Sequence, residues 1–211
     1  ILFARHQAEA GSPPGWLSVV TVATSHTWEN GKNEQSHQDP TLAEALLGEM
    51  SDTARVLFPV DANSAAAALR AAYGTHGQFW TLVVPKRPMA NRLTGEQAQR
   101  LIDEGACVVK ACDAPAVLLV AIGAYQLTQA LLAADRLDAA GHRTAVSCVA
   151  EPGRFRTPRD ERERAFVAAD EALGRLFPTA AVARVLVSHM RPEATLGVLR
   201  RIDTGPQRTR A

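Results

Sequence analysis

The chain has 211 residues, of which 46% are hydrophobic and 21% are charged, a balance that is typical of a globular protein and excludes a disordered tail or a fibre. Its 23 Lys and Arg residues oppose 22 Asp and Glu residues, and the formal net charge of +1 excludes a global field that would attract nucleic acid or an anionic membrane. Any anion site must therefore be local. The length suffices for one large domain or for two small ones, and we expect two lobes.

Cysteine usage and hydropathy indicate the compartment. The three cysteines, Cys107, Cys112 and Cys148, lack the spacing and neighbouring His residues of a zinc site, so we interpret them as buried free thiols. No apolar run approaches the ~20 residues of a membrane span, and no signal peptide is evident. These features predict a cytoplasmic protein. Because the chain begins at Ile1 without Met, and because it ends just after a turn-like segment, we expect it to be a fragment of a longer protein.

Apolar runs and helical patterns alternate along the first half of the chain, which predicts an α/β fold with helices crossing between largely parallel strands. The β-branched run at 17–23 is typical of a buried strand. The turn Asp61-Ala62-Asn63 offers capping side chains to the Ala-rich helix that follows it. The predicted elements of this half are strands over 17–23, 54–60 and 79–84 and helices over 41–50 and 64–73.

A second α/β pattern follows the polar stretch 86–105, and we place the boundary between the two lobes there, at 1–105 and 106–211. The run 154–164 carries both charge signs and is interpreted as a solvated helix start with weak ion pairs. Trp80 and His189 are interpreted as packed structural residues. The predicted elements of this half are strands over 108–109, 117–122, 144–149 and 184–188 and helices over 124–140, 160–176 and 191–202.

The most polar segment of the chain, residues 25–40, directly follows the first predicted strand. Its two His residues, several side-chain amides and one Lys can bind a polyhydroxylated phosphate at the carboxyl end of that strand. A solvated loop explains the same composition equally well. Lys86 and Arg87 follow the third predicted strand at the same edge, where two cations can neutralise a phosphate, although a solvated surface pair is the commoner explanation.

Motifs in the polar segment decide between these interpretations. The runs Thr27-Trp28-Glu29 and Ser36-His37-Gln38-Asp39-Pro40, with Asn33 between them, resemble the Thr-Trp-Glu and Ser-His-Gln-Asp-Pro signature of phosphoketolases at the same spacing. Further segments that resemble this family lie at 58–63, 85–88, 123–126 and 151–155. The resemblance therefore covers most of the chain, in motifs whose order is hard to obtain by chance.

The resemblance implies an activity and a set of ligands. Phosphoketolases use thiamine diphosphate and Mg²⁺ to cleave xylulose 5-phosphate or fructose 6-phosphate with inorganic phosphate, and the products are acetyl phosphate and a shorter aldose phosphate. Carried over residue by residue, the resemblance implies that His37 is catalytic. It also implies that the substrate is bound by Asn30, Asn33, His37 and Lys86. Asn30 stands where many relatives have Gln, and Arg87 stands where the family has Gln.

The resemblance also implies what this chain lacks. We find no Gly-Asp-Gly run followed by Asn, which is the family's diphosphate and magnesium motif, so no metal ligand is assigned here. The predicted lobes are the latter part of a thiamine-enzyme pyrimidine domain and a transketolase-like carboxy-terminal domain. The piece alone is expected to be inactive, and the complete protein to be a homodimer. The alternatives are a non-catalytic scaffold or regulatory relic and a transketolase fragment, and the sequence does not decide between the two ketose phosphates.

Overall fold

The computed structural model describes residues 1–24 and 40–211, and every structural statement below concerns these residues. The amino-terminal part contains a three-stranded parallel sheet with the spatial order β1-β3-β2. Helices precede and connect its strands. Its elements are the strands β1 (Val19–Ala23), β2 (Ala54–Leu57) and β3 (Phe79–Val83) and the helices α1 (Leu2–Glu9), α2 (Thr41–Leu47), α3 (Ala62–Tyr73) and α4 (Gly95–Glu104).

The carboxy-terminal part contains a five-stranded sheet with the order β4-β6-β5-β7-β8, in which β4 runs antiparallel to β6 and all other neighbours are parallel. Its strands are β4 (Ala106–Lys110), β5 (Val117–Ile122), β6 (Thr144–Val149), β7 (Ala183–Ser188) and β8 (Thr209–Arg210). Its helices are α5 (Ala124–Ala139), α6 (Glu161–Phe166), α7 (Asp170–Leu176) and α8 (Pro192–Val198), with 3₁₀ turns at Pro152–Phe155 and Arg200–Ile202. The predicted α/β class with largely parallel sheets is confirmed.

Burial is greatest in β2 and β6. Every residue of these two strands is buried, although β2 lies at the end of the order β1-β3-β2. The first strand differs, because Val19 and Val22 of β1 are 42% and 55% exposed. The predicted strand at 17–23 forms as β1, but the prediction that it is buried was wrong. In the described part of the chain β1 pairs only with β3, and an apolar run cannot reveal whether its strand lies at an edge.

Two of the predicted helices are interrupted. The helix predicted over 160–176 is divided into α6 and α7, because Val167 and Ala169 have extended backbone with ψ near 154° and 158°. The Ala168 N–H donates to the Arg154 carbonyl at 2.8 Å instead of continuing the helix. The helix predicted over 191–202 ends at Val198, and the short strand β8 that pairs with β7 was not predicted.

The two sheets share their apolar core. One cluster joins Trp80 and Leu82 of β3 to Leu119 of β5 and Leu127 of α5. The Phe58 N–H, just beyond β2, donates to the Ala150 carbonyl at 2.7 Å, so backbone also links the two parts. The division at residue 105 stays a prediction. No helix in the described ranges is both long and apolar enough to cross a membrane.

Candidate functional site

The carboxyl ends of the first three strands meet at one edge of their sheet. Because the strands are parallel and in register, Ala23 of β1 lies beside Val83 of β3, and Leu57 of β2 lies beside Leu82. The three strands therefore end at one edge of the sheet, which is where ligands bind in parallel α/β sheets. This edge is the candidate site.

Only part of the predicted site can be located. Asn30, Asn33 and His37 lie outside the described residues, so their predicted roles stay predictions. Lys86 is exposed at the candidate edge, three residues beyond the end of β3, and Arg87 is exposed beside it. Neither cation is buried among apolar side chains. The predicted convergence of His37 and Lys86 on one ligand stays a prediction.

A cavity of about 230 Å³ lies at this edge, between the turn after β2 and the segment after β3. Its wall is mostly aliphatic, and Asp61 and Arg87 are its two charged residues. The lining residues are Pro59, Val60, Asp61, Ala62, Ala65, Val84, Pro85, Arg87, Pro88 and Met89. The Asp61 turn and the Arg87 segment, which are remote in sequence, thus line one cavity.

The sequence predicted a cap in the turn 61–63, and Asp61 is the residue that caps the helix α3. Its Oδ1 accepts hydrogen bonds from the Ser64 backbone N–H at 2.8 Å and from the Ser64 hydroxyl at 2.7 Å. The Ser64 Oγ in turn accepts from the Asp61 N–H at 3.0 Å, which completes a capping box. The cap fixes where α3 begins relative to the end of β2.

The same carboxylate also holds the segment beyond β3. Its Oδ2 accepts from the backbone N–H groups of Arg92 and Leu93, both at 2.9 Å. The Asn63 Nδ2 donates to the Leu93 carbonyl at 2.7 Å. Burial by itself would raise the pKa of Asp61, but the hydrogen bonds from Ser64, Leu93 and Arg92 lower it below its usual value. Asp61 is therefore ionised, and both of its carboxylate oxygens accept hydrogen bonds.

A buried ionic cluster behind the candidate site was missed by the sequence analysis. Arg55 of β2 donates to both carboxylate oxygens of Glu151 at 2.7 and 2.6 Å, and Arg154 donates to Glu151 at 2.9 Å. The Arg55 guanidinium lies 3.6 Å from the centre of the Trp80 ring. A signal existed, since an Arg in an otherwise apolar strand needs a buried partner. Trp80 is buried, as predicted.

The charged run 154–164 contains the start of α6, and its Glu161–Arg164 ion pair is exposed as predicted, but the prediction of a solvated run was wrong for Glu163. Glu163 is fully buried and accepts from the Ser51 N–H at 3.0 Å and from the Arg159 side chain at 2.7 and 3.0 Å. Arg159 also donates to the Gly48 carbonyl at 2.7 Å, and Arg156 donates to the Leu47 carbonyl at 2.8 Å. These charges join the two parts of the chain, which local sequence cannot reveal.

Other candidate residues have structural surroundings. His189 is buried, and its ring lies 5.8 Å from that of Phe58. All three cysteines are free, but only Cys148 is buried, and Cys107 and Cys112 are partly exposed. The prediction of three buried thiols was therefore correct for one residue. In residues 1–24 and 40–211 no three His, Cys, Asp or Glu side chains come together as a metal site.

Comparison with known proteins supports the family resemblance. The sequence model of the D-xylulose 5-phosphate/D-fructose 6-phosphate phosphoketolase family matches residues 1–74. A probable phosphoketolase of Clostridium acetobutylicum is 31% identical over 88 residues, which are 42% of this chain and 11% of that protein. One of Bifidobacterium animalis subsp. lactis is 25% identical over 169 residues, or 76% of this chain and 20% of that protein. The chain thus spans a fifth or less of these relatives.

Solved structures share the fold. A transketolase of Pichia stipitis in complex with xylulose 5-phosphate superposes with a TM-score of 0.61 at 19% identity, over 81% of this chain and 22% of that one. A split-gene transketolase, described as an inactive beta4 tetramer, gives a TM-score of 0.54 at 21% identity, over 91% of this chain and 55% of that one. The predicted transketolase-like fold is confirmed. The chain is related in sequence to the phosphoketolases, as its motifs predicted.

Proposed function

We propose that this chain is part of a phosphoketolase that cleaves xylulose 5-phosphate, and fructose 6-phosphate where its channel admits it, with inorganic phosphate. The products are acetyl phosphate and an aldose phosphate. The observation that carries the proposal is the phosphoketolase family match over residues 1–74, which spans the whole Thr27 to Pro40 signature. The shared carboxyl edge of β1, β2 and β3 supports it, because Lys86 is exposed at the edge where β1 ends at Ala23, and the signature follows β1 in sequence.

Each assigned residue has a chemical reason. Lys86 carries a compact positive charge that suits a phosphate dianion. The imidazole of His37 both accepts and donates protons near neutral pH, so it suits proton transfer at a sugar hydroxyl during the reaction. The amides of Asn30 and Asn33 each offer a donor and an acceptor to sugar hydroxyls. Asn30 is shorter than the Gln of many relatives, so it must contact the sugar at closer range or through water.

The cofactors of the proposed enzyme are thiamine diphosphate and Mg²⁺, which supply the carbon–carbon bond cleavage chemistry when bound. The described residues do not fit a metal site, and the sequence has no Gly-Asp-Gly run. We therefore assign the metal and diphosphate ligands to parts of the assembly other than this chain. The proposed assembly is a cytoplasmic homodimer whose partners are sugar phosphate and inorganic phosphate, with no nucleic acid and no membrane.

A transketolase is the second candidate, because transketolases are among the solved structures that share the fold. It would transfer a two-carbon unit to an aldose phosphate and would form no acetyl phosphate. A non-catalytic relic of the family would do neither. Supplying xylulose 5-phosphate and phosphate, with and without ribose 5-phosphate, therefore separates the three functions by their products.

The test uses the protein as its cell makes it, with thiamine diphosphate and Mg²⁺ supplied. Acetyl phosphate formed from xylulose 5-phosphate and phosphate is the expected product. His37→Ala is expected to abolish most of this activity, and Lys86→Ala to raise KM for the sugar phosphate by about tenfold or more through loss of a charge-assisted contact. Arg70→Ala, which removes an exposed cation from the far end of α3, is the control. Acetyl phosphate formation that survives His37→Ala would refute the role of His37.

A further inference from the structure

The turn Asp61-Ala62-Asn63 does more than start a helix. A helix cap needs one side-chain oxygen that accepts from the third helical N–H, and Ser, Thr or Asn supplies it as well as Asp. Here Oδ1 of Asp61 fulfils that need through Ser64. The second oxygen, Oδ2, makes two hydrogen bonds that the cap does not require, both to the backbone at Arg92 and Leu93.

These bonds close a loop that begins where β3 ends. The Val84 N–H donates to the Ala23 carbonyl at 2.9 Å, which fastens the start of the loop to β1. The end of the loop is held at Leu93, whose N–H donates to Asp61 and whose carbonyl accepts from Asn63. The Leu93 side chain is buried in the core. The part between these anchors, with Lys86 near its start, lies at the candidate edge. Two prolines within this part restrict its backbone further.

The anchoring requires a carboxylate. The donors that converge on Asp61 are N–H groups on both sides, from Ser64 and from the Arg92 and Leu93 backbone. An Asn side chain has one oxygen, so its amino group must face either the helix cap or the loop end, where it meets donors. Asp61 is 6% exposed, so water does not readily replace a lost bond there.

We propose that Asp61 is a positioning residue for sugar-phosphate binding, which holds the segment of Lys86 and Arg87 at the carboxyl edge of the first sheet. The inference rests on the proposed function, and it adds a residue that does not itself touch the substrate. A preorganised segment binds phosphate without the cost of ordering the loop on binding. Loss of the anchor therefore weakens ground-state binding of the phosphate more than it slows the chemical steps.

The experiment compares Asp61→Asn with Ser64→Ala in the protein as its cell makes it, assayed by acetyl phosphate formation. Asp61→Asn is expected to raise KM for xylulose 5-phosphate about tenfold with kcat within about twofold, the effect of losing one charge-assisted hydrogen bond. Ser64→Ala removes the hydroxyl of the capping box but leaves both Oδ2 bonds, so it lowers thermal stability and leaves KM unchanged. Asn63→Ala, which removes only the bond to the Leu93 carbonyl, is expected to raise KM by a smaller factor.

Hydrogen exchange measures directly whether the N–H groups of Arg92 and Leu93 are held by Asp61. The amides of Arg92 and Leu93 are expected to exchange faster in Asp61→Asn and at the wild-type rate in Ser64→Ala. Unchanged KM in Asp61→Asn, or an equal rise in KM in Ser64→Ala, would overturn the positioning role while leaving the phosphoketolase proposal intact. If Asp61→Asn does not fold, unchanged KM in Asn63→Ala overturns it as well. A wild-type protein that forms no acetyl phosphate would instead refute the proposed function itself.

Discussion

Replacing Glu163 by Gln removes one negative charge from the buried cluster between the two parts of the chain while it keeps the shape of the side chain. The Glu163 carboxylate is fully buried, and it receives hydrogen bonds from the backbone N–H groups of Ser51 and Arg159 and from the Arg159 guanidinium. Arg156 lies 3.6 Å from its Oε1. A Gln presents an amino group to these donors and leaves two guanidinium groups without their counter-charge.

The pKa of Glu163 gives the expected size of the effect. Burial alone would raise this pKa, but the hydrogen bonds from Arg159 and Ser51 and the charge of Arg156 lower it from 4.5 to about 2. Because each pKa unit corresponds to about 1.4 kcal/mol, the carboxylate contributes about 3 kcal/mol to stability at neutral pH. Removal of one partner from a buried ion pair typically costs about 3 to 5 kcal/mol, in agreement with this figure.

The pH dependence follows from the direction of the shift. A carboxyl group whose pKa is lower in the folded state stabilises the fold fully above its unfolded pKa of 4.5 and loses that contribution as the pH falls towards about 2. The gap in unfolding free energy between wild type and Glu163→Gln is therefore expected to be about 3 kcal/mol at pH 7 and to narrow progressively below about pH 4.5.

Urea unfolding followed by circular dichroism, at pH values from 7 down to 3.5, measures this gap. The matched control is Glu161→Gln in the same helix, because the Glu161 side chain is 88% exposed and pairs with exposed Arg164. We expect the control to change stability by less than about 0.5 kcal/mol. Equal effects of the two substitutions at pH 7, or a gap for Glu163→Gln that is constant with pH, would refute this reasoning.

Two further predictions concern backbone and thiols. Gly105 ends α4 with φ of +81°, and an added Cβ would lie 2.7 Å from the Arg154 Cδ, so Gly105→Ala is expected to lower the unfolding free energy by about 1 to 2 kcal/mol. Gly95→Ala, whose added Cβ meets nothing within 4 Å, is the control in thermal denaturation, and equal melting temperatures would contradict the prediction. Burial raises the pKa of the Cys148 thiol well above its usual value and that of Cys107 to about 11. Mass spectrometry after iodoacetamide treatment at pH 8 should find Cys148 unmodified in the native protein and modified in urea, and equal labelling in both states would show that the thiol is accessible.

Strands and caps with a purely local origin were predicted well from sequence. The strands β5 and β6 occur at the predicted residues, because a short apolar run bounded by turn residues favours a strand whatever its place in the sheet. A helix cap within the turn 61–63 was predicted because capping depends on residues three positions apart, and Asp61 supplies it. The resemblance to phosphoketolases likewise came from contiguous motifs. The roles of Asn30, Asn33, His37 and Lys86 stay predictions.

Structural features that depend on residues far away in the sequence could not be predicted. The break between α6 and α7 depends on the Arg154 carbonyl capturing the Ala168 N–H. The antiparallel direction of β4 and the existence of β8 depend on which strands they meet. Glu163 belongs to a charged run that looks solvated, and its burial depends on Ser51, more than 100 residues away.

The sequence by itself determined the α/β pattern, most of the helices and strands, and the polar motifs that follow the first and third strands. The tertiary structure alone decided that the Glu151 and Glu163 carboxylates are buried between the two parts of the chain, and that the second oxygen of Asp61 anchors the segment after β3. The physical reason is the distance along the chain over which each interaction acts. Backbone propensity and capping act over a few residues, whereas a buried carboxylate is stable only where folding brings donors from remote segments to it.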